Sequence, residues 1–437
     1  MNVLILGLGQ YPLGSGMAAA LHFVRQKNAK VTVYDFYYTK AMDANIARLK
    51  KFKNVRFVLG KHKLDEIKNA HLIVKHQRIR QNEPEVRLAH KLGKIMDSEL
   101  SIFLRACPCL VVGITGTRGK STTTAMIHGI LSKSWKWRNV WLGGNILVSP
   151  LTFLSKVKTN DLVVLEMSSF QLEGTGEAGV SPQIAVWTNL MRDHLNAYPS
   201  MTEYAEAKAQ IFRNQKPEDV VFLPADKMFN VYAKTSPGHV VRVTLHASRF
   251  TLRVPGEHNQ MNASFAEAVG TFLGVKKQAI RKSLKAFKGL PNRIETVATK
   301  KGVTFINDTT ATTPDGTMAA LKSVKSVKSI KSVKSGTIHL IFGGADKELE
   351  FGQVAKELKT RKDVAAYLLK GTAERKIRKA GIKGEWFQSL NEAMREIRLN
   401  AKRGDVVLLS PGCTSFGMFK NEFDRGEQFV KLVKKWK

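Results

Sequence analysis

The densest run of residues able to do chemistry is Gly113-Ile114-Thr115-Gly116-Thr117-Arg118-Gly119-Lys120-Ser121-Thr122-Thr123-Thr124. It follows an apolar run, Cys109 to Ile114, that reads as a strand, and precedes a helical pattern ending near Ser132. Glycines in such a turn let backbone N–H groups approach phosphate oxygens. The amino terminus of the following helix favours anions, a lysine offsets β/γ-phosphate charge, and the next hydroxyl can ligate Mg²⁺. The strict G-x-x-x-x-G-K-[ST] pattern fails, because Ile114 stands where its first glycine belongs. A chance glycine turn ahead of a helix is the plainer alternative. Strand, Gly-Lys-Ser-Thr and helix in register favour a phosphate loop, with Gly116, Thr117, Arg118, Gly119, Lys120, Ser121, Thr122 and Thr123 as nucleotide-binding candidates.

Some fifty residues on, Asp161 to Gln171 contains a buried strand ending in the carboxylate of Glu166, the arrangement that can hold magnesium beside a nucleotide. Asp193-His194 follows a further strand, Ile184 to Asn189, so that imidazole could reach the same sheet edge; alone, such a histidine is more often a structural or surface group. Ser200 and Glu203 form an S-x-x-E capping signal for a helix running to Phe212. Lys208 lies two turns into it. Local sequence makes it a solvated charge; held near a divalent cation, its amine would lose a proton more easily and could take up CO₂ as a carbamate. The amino-terminal turn Gly7 to Gly16, with Asp35 closing the second strand, follows the plan of a dinucleotide fingerprint, but G-x-G-x-x-G breaks at Pro12. A nucleotide-shaped pocket serving another diphosphate suits it better than a nicotinamide site.

These residues need sheets to carry them. Short apolar runs alternate with helical patterns almost throughout, which argues for α/β units on largely parallel sheets. With 437 residues, about three domains are expected at ~150 residues each. The boundaries read as 1–107, 108–289 and 290–437. Strands are predicted at Val3–Leu6 and Val31–Tyr34 in the first, at Leu162–Leu165, Ile184–Trp187 and Val220–Leu223 in the second, and at Val303–Ile306, Ile338–Phe342, Ala366–Leu369 and Val406–Leu409 in the third. The Lys-Ser-hydrophobe triplets from Lys322 to Ser335 match neither helix nor strand period and predict a solvated connection.

Lys and Arg number 70 against 36 Asp and Glu, a net charge of +34, while hydrophobic residues at 43% are ordinary for a globular chain. The lysines are spread along the whole length rather than gathered into one arm. That predicts a generally basic surface, not a nucleic-acid partner. Three cysteines, Cys107, Cys109 and Cys413, form no metal-ligand spacing beyond one Cys-Pro-Cys and read as thiols in a reducing compartment. No run approaches the ~18 apolar residues of a membrane-spanning helix, and the amino terminus reads as a strand rather than a signal peptide. A soluble, cytoplasmic chain with no membrane partner is the expectation.

With these residues in view, the chain resembles the Mur ligase family, most closely its glutamate-adding members. The resemblance runs over nearly the whole length. It rests on Gly113–Thr122, Leu165–Glu173, Asn189–His194, Tyr204–Lys208, Gly256–Asn262, Leu290–Glu295, Asn307-Asp308 with Ala311-Thr312, Gly343–Lys347 and Leu409–Ser415 in a common order. It implies a Rossmann-like amino-terminal domain, a central ATPase-type domain and a Rossmann-like carboxyl-terminal domain. It also implies ATP-driven phosphorylation of a substrate carboxylate, attack by an incoming amino acid, and Mg²⁺ at two sites. By resemblance Lys120 contacts phosphate, Ser121 or Thr122, Glu166 and His194 serve the metals, and Lys208 is carbamylated. Asn259, Arg293 and Asp308 hold adenine, phosphate and ribose. Asp35, Gly144, Asn145, Ser168 and His194 meet a UDP-N-acetylmuramoyl-L-alanine substrate, and Thr312, Lys347, Ser415 and Phe423 meet glutamate, in a monomeric enzyme.

Several positions depart from the family pattern. Arg118 replaces an asparagine, Thr310 stands where a lysine is usual, and Phe423 comes one residue late after Lys420-Asn421. The stretch Val74 to Arg80 also lacks the family's Ser-Pro-Gly turn. These leave four alternatives: an L-glutamate-adding variant, a folylpolyglutamate or polyglutamate synthetase, a ligase-like protein without turnover, and, from another class, a basic P-loop NTPase acting on nucleic acid.

Overall fold

A computed structural model describes residues 1–146, 148–193, 197–244, 250–254, 256–326 and 336–436. Its described residues contain three sheets, grouped in two compact units.

The first unit, Met1–Thr251 with Gln260–Lys285, holds two sheets. One comprises β1 (Asn2–Leu6), β2 (Lys30–Asp35), β3 (Val55–Leu59), β4 (Leu72–Lys75) and β5 (Ile95–Asp97), all parallel in the order β3-β2-β1-β4-β5. The other comprises β6 (Leu110–Thr115), β7 (Val140–Gly144), β8 (Leu162–Glu166), β9 (Ile184–Trp187), β10 (Val220–Pro224) and β11 (His239–Val243). It too is all parallel, in the order β11-β10-β9-β6-β8-β7. Strands such as Leu162–Glu166 are buried at every position, as expected where helices cover both faces of a parallel sheet. Both sheets feed one continuous core. Met17 and Ala18–Ala20 of the helix Ser15–Val24 join Phe103, Leu151, Phe153, Leu165 and Leu172 in it.

The second unit, Leu252–Asn259 with Ala286–Lys437, is built on β12 (Glu295–Lys300), β13 (Val303–Asn307), β14 (Ile338–Gly343), β15 (Val364–Leu369), β16 (Glu385–Phe387) and β17 (Val406–Leu409). Their order is β12-β13-β17-β14-β15-β16, parallel except for the antiparallel edge strand β12.

The ten strands expected from sequence are present, each within two residues at either end. Sequence reading missed half-exposed strands such as β3, β7 and β12: Arg56 interrupts the apolar run of β3, two glycines end that of β7, and charged and polar residues dilute that of β12. One expectation is corrected. The first part of the Lys-Ser repeat is not a solvated connection, because the helix Pro314–Ser326 continues through Lys322–Ser326 and buries Ser323 and Val324. Every third residue is apolar there, so Val324 reaches the core while Lys322 stays exposed. Residues 327–335 lie outside the described residues.

Candidate active site

The loops after β9, β6, β8 and β7 leave from neighbouring positions at the carboxyl edge of the central sheet, where parallel α/β sheets place ligands. Register brings the parts level. Ile114 and Gly144 both pair with Glu166, and Thr115 pairs with Trp187. The expected phosphate loop, metal carboxylate, Gly144-Asn145 turn and the 188–193 segment therefore share one edge.

Gly116 (φ +145°) and Gly119 (φ +77°) adopt conformations that side chains avoid, and Gly119 stands at the N-cap of the helix Lys120–Leu131. A Cβ on Gly119 would fall 2.3 Å from Asn262 Oδ1. The loop is pinned from the β9 side: Thr117 N–H donates to Asn189 O at 3.1 Å, Arg118 N–H to Asn189 Oδ1 at 2.9 Å, and Asn189 Nδ2 to Arg118 O at 3.0 Å. Thr188 Oγ1 also donates to Arg118 O, at 2.8 Å. Lys120 Nζ folds back on the carbonyls of Gly116 and Thr117 at 2.9 and 3.1 Å, which places its charge over the turn. Ser121 and Thr122 open the helix, half-buried, while Thr123 is buried and donates to Asn262 Oδ1.

Glu166 is buried at the end of β8. Its Oε1 accepts from Asn145 Nδ2 at 2.9 Å, and its Oε2 is buried without a protein partner. An orphaned carboxylate oxygen suits a cation ligand, since leaving it unpaired is unfavourable otherwise. Lys208, on the helix Met201–Arg213 capped by Ser200 through Glu203 N–H, is 2% exposed. It is not the solvated charge that local sequence suggests. Its Nζ donates to Gly116 O at 3.1 Å and lies 4.4 Å from the Tyr204 ring centroid. Burial, then repulsion from Lys120, pushes its amine well below the ordinary lysine range, against the opposing pull of Asp193 and Glu166. An amine that holds its proton less tightly, near a carboxylate with an open oxygen, suits the chemistry of a carbamate ligand. These residues fit Mg²⁺ and a nucleotide phosphate. His194 lies outside the described residues.

Among the residues expected to meet the acceptor, Gly144 (φ +97°) would place a Cβ 2.1 Å from Glu166 O, so only glycine lets this turn lie against the Glu166 backbone. Ser168 caps the helix Ser169–Glu177 by accepting from Gln171 N–H, and its Oγ donates to Gln77 Oε1 at 3.2 Å. Asp35 ends β2 and is buried. Its two oxygens accept from Leu8 and Tyr37 N–H at 2.8 and 3.0 Å, holding the amino-terminal turn. Sequence reasoning did not single out Gln77 or Arg80, whose guanidinium sits 4.0 Å from the Phe170 ring centroid; their only signal is a polar run directly after β4.

Asn259, Arg293 and Asp308 fall in the second unit. Asn259 is buried and Arg293 exposed, while Asp308 accepts from Ile294 N–H at 3.2 Å and Ser410 Oγ at 2.8 Å. Thr312, Lys347 and Ser415 follow β13, β14 and β17, three adjacent strands, so they gather at one carboxyl edge. An Ala345–Thr414 bridge joins two of these loops. Thr310, in the position of the family lysine, donates to Asn292 O at 2.9 Å. Phe423 lies half-buried in the first turn of the helix Glu422–Lys434. Arg425, two residues on and fully buried, went unnoticed in the sequence. It donates to Thr309 Oγ1, Thr309 O and Cys413 O, tying the Thr312 and Ser415 loops together. Burial pulls its guanidinium down to about 10, still protonated at neutral pH.

Residues 114–247 match the Mur ligase middle domain and residues 292–413 the Mur ligase glutamate ligase domain. The chain belongs to the Mur ligase family. It is 34% identical to the UDP-N-acetylmuramoylalanine--D-glutamate ligase of Roseiflexus sp. (strain RS-1), over 99% of this chain and 98% of that relative. Its fold is that of MurF ligase from Thermotoga maritima in complex with ADP (TM-score 0.62, 16% identity, 99% of this chain and 97% of that one). The fold is shared equally with UDP-N-acetylmuramate-alanine ligase MurC from Thermotoga maritima (TM-score 0.61, 23% identity, 100% of both chains).

Proposed function

We propose that this chain is an ATP-dependent ligase that joins glutamate, the D isomer in preference to the L, to UDP-N-acetylmuramoyl-L-alanine during peptidoglycan precursor synthesis in the cytoplasm. The observation that carries this reading is the clustering of a phosphate-type loop, Glu166 with its unpaired oxygen, and buried Lys208 at one sheet edge of a chain related over its full length to D-glutamate ligases. We assign the acceptor to 1–107, the nucleotide to 108–289 and the amino acid to 290–437, in a monomer.

A carboxylate resists an amine because its oxygen is a poor leaving group. Transfer of the ATP γ-phosphoryl to the acceptor carboxylate gives an acyl phosphate. The glutamate amine then attacks the acyl carbon, and phosphate departs as the amide forms. Lys120 and the Gly116–Gly119 turn stabilise charge on the transferring phosphoryl group. Mg²⁺, when bound, neutralises phosphate oxygens; Ser121 or Thr122, Glu166, His194 and Lys208 as a carbamate would hold it. Asn259, Arg293 and Asp308 hold the rest of the nucleotide. Asp35, Gly144, Asn145, Ser168 and His194 serve the UDP-sugar, with Asp35 acting through the turn it holds. Thr312, Lys347, Ser415 and Phe423 orient glutamate.

The test is phosphate release and product mass for purified protein with ATP, Mg²⁺, the UDP-muramoyl acceptor and each glutamate enantiomer in turn. Acceptor-dependent turnover, faster with D-glutamate, is expected. Preference for the L isomer would move the chain to the L-adding variant, and no acceptor-dependent turnover with either would remove the assignment.

A further inference from the structure

Cys107 and Cys109 flank Pro108 in the three-residue link between the helix Glu99–Ala106 and β6. Their Sγ atoms are 3.7 Å apart, and both are free thiols. The link is anchored on the helix side by Cys107 N–H donating to Phe103 O at 2.8 Å. The two sulfurs differ in access: Cys107 is partly exposed, whereas Cys109 is 7% exposed. Neither has a part in the ligase chemistry proposed above. Two cysteines packed only as small apolar groups would both be covered. Here one residue of the pair is partly exposed and the other buried, with their sulfurs in contact.

We propose that Cys107 and Cys109 form a dithiol modification site, which closes to an intramolecular disulfide by exchange with a low-molecular-weight disulfide of the glutathione class. The Cys107 thiolate attacks one sulfur of the small disulfide, giving a mixed disulfide and releasing one small thiolate. The Cys109 thiol passes its proton to that thiolate and attacks the Cys107 sulfur, expelling the second small thiolate, which takes up the proton that Cys107 had released. Two protein thiols are thereby oxidised, and one small disulfide is reduced to two thiols. The sulfur gap need close only from 3.7 Å to ~2 Å.

The electrostatics agree with this division of labour. The hydrogen bond from Cys109 lowers the Cys107 thiol below its ordinary range, and the same pairing, together with burial, raises Cys109. Cys107 is the better nucleophile and the buried Cys109 the resolving thiol. Cys413 supplies an internal control, since burial pushes it up to about 12.

The experiment incubates reduced full-length protein with oxidised glutathione, alkylates remaining thiols, and reads peptide masses. The expected result is a Cys107–Cys109 peptide two hydrogen masses lighter, carrying no glutathione, with Cys413 alkylated and the change reversed by dithiothreitol. Cys109→Ser should retain glutathione on Cys107, and Cys107→Ser should react about tenfold more slowly. A stable glutathione adduct on wild-type Cys107, both thiols remaining alkylatable, or Cys413 reacting as fast would overturn the proposal. The wild-type masses decide it even if a variant folds poorly.

Discussion

Whether a helical lysine is a solvated charge or a chemical group depends on what surrounds its nitrogen, and Lys208 illustrates the difference. Its immediate neighbours in sequence, Ala207 and Ala209, say nothing of the Tyr204 ring, the Gly116 carbonyl or the nearby Lys120 that the fold sets around it. Only the family resemblance pointed to its role. Lys208→Ala should abolish ligase turnover, with partial recovery on adding a short-chain carboxylate that occupies the vacated space; intact mass of the wild type in bicarbonate should carry one added CO₂. Full activity in the variant, or no recovery together with an unmodified mass, removes the carbamate. Lys120 was legible directly, because a lysine after glycine at the start of a helix has few other purposes. Lys120→Ala should lower turnover by roughly 3 kcal/mol of transition-state stabilisation, the loss of one electrostatic contact. Unchanged steady-state rates would exclude its phosphate role.

At the scale of elements, strands with continuous apolar runs were legible and their neighbours were not. β6, β8 and β9 announce themselves by composition, yet nothing local says that β9 and β8 flank β6, or that Asn189 beyond β9 will hold the phosphate loop with both backbone and side chain. The same holds for packing between helices. Glu99 opens the helix Glu99–Ala106, where an acid favours the helix dipole, but its carboxyl is buried against Ser149 Oγ. Burial raises it to about 7, opposed by that hydrogen bond. A raised carboxyl binds its proton more tightly in the folded chain than in the unfolded one. The stabilisation is therefore complete below the unfolded value near 4.5 and is lost as pH rises through about 7. The span amounts to roughly 3 kcal/mol at 1.36 kcal/mol per pH unit. Urea midpoints of the wild type should fall over that window, and Glu99→Gln should flatten the fall. Parallel slopes would show that Glu99 does not titrate there.

For the whole molecule, the excess of 34 positive charges invites a polyanion partner, and their even spread argues against a dedicated one. ATP turnover in the presence of the acceptor and glutamate should be unchanged by added single-stranded RNA at physiological salt; stimulation by RNA, lost as salt rises, would favour the nucleic-acid NTPase instead. Sequence by itself determined the α/β class, the phosphate turn, Glu166 as a metal candidate and, through motif order, the family, because each depends on residues close together in the chain. Tertiary structure decided that Glu166 keeps one oxygen unpaired, that Lys208 is buried, that Asp35 serves its own turn, and that Arg425 ties two loops together. Those properties arise from strand order and burial, which bring together groups separated by tens to a hundred residues and strip them of water, and no local pattern encodes either.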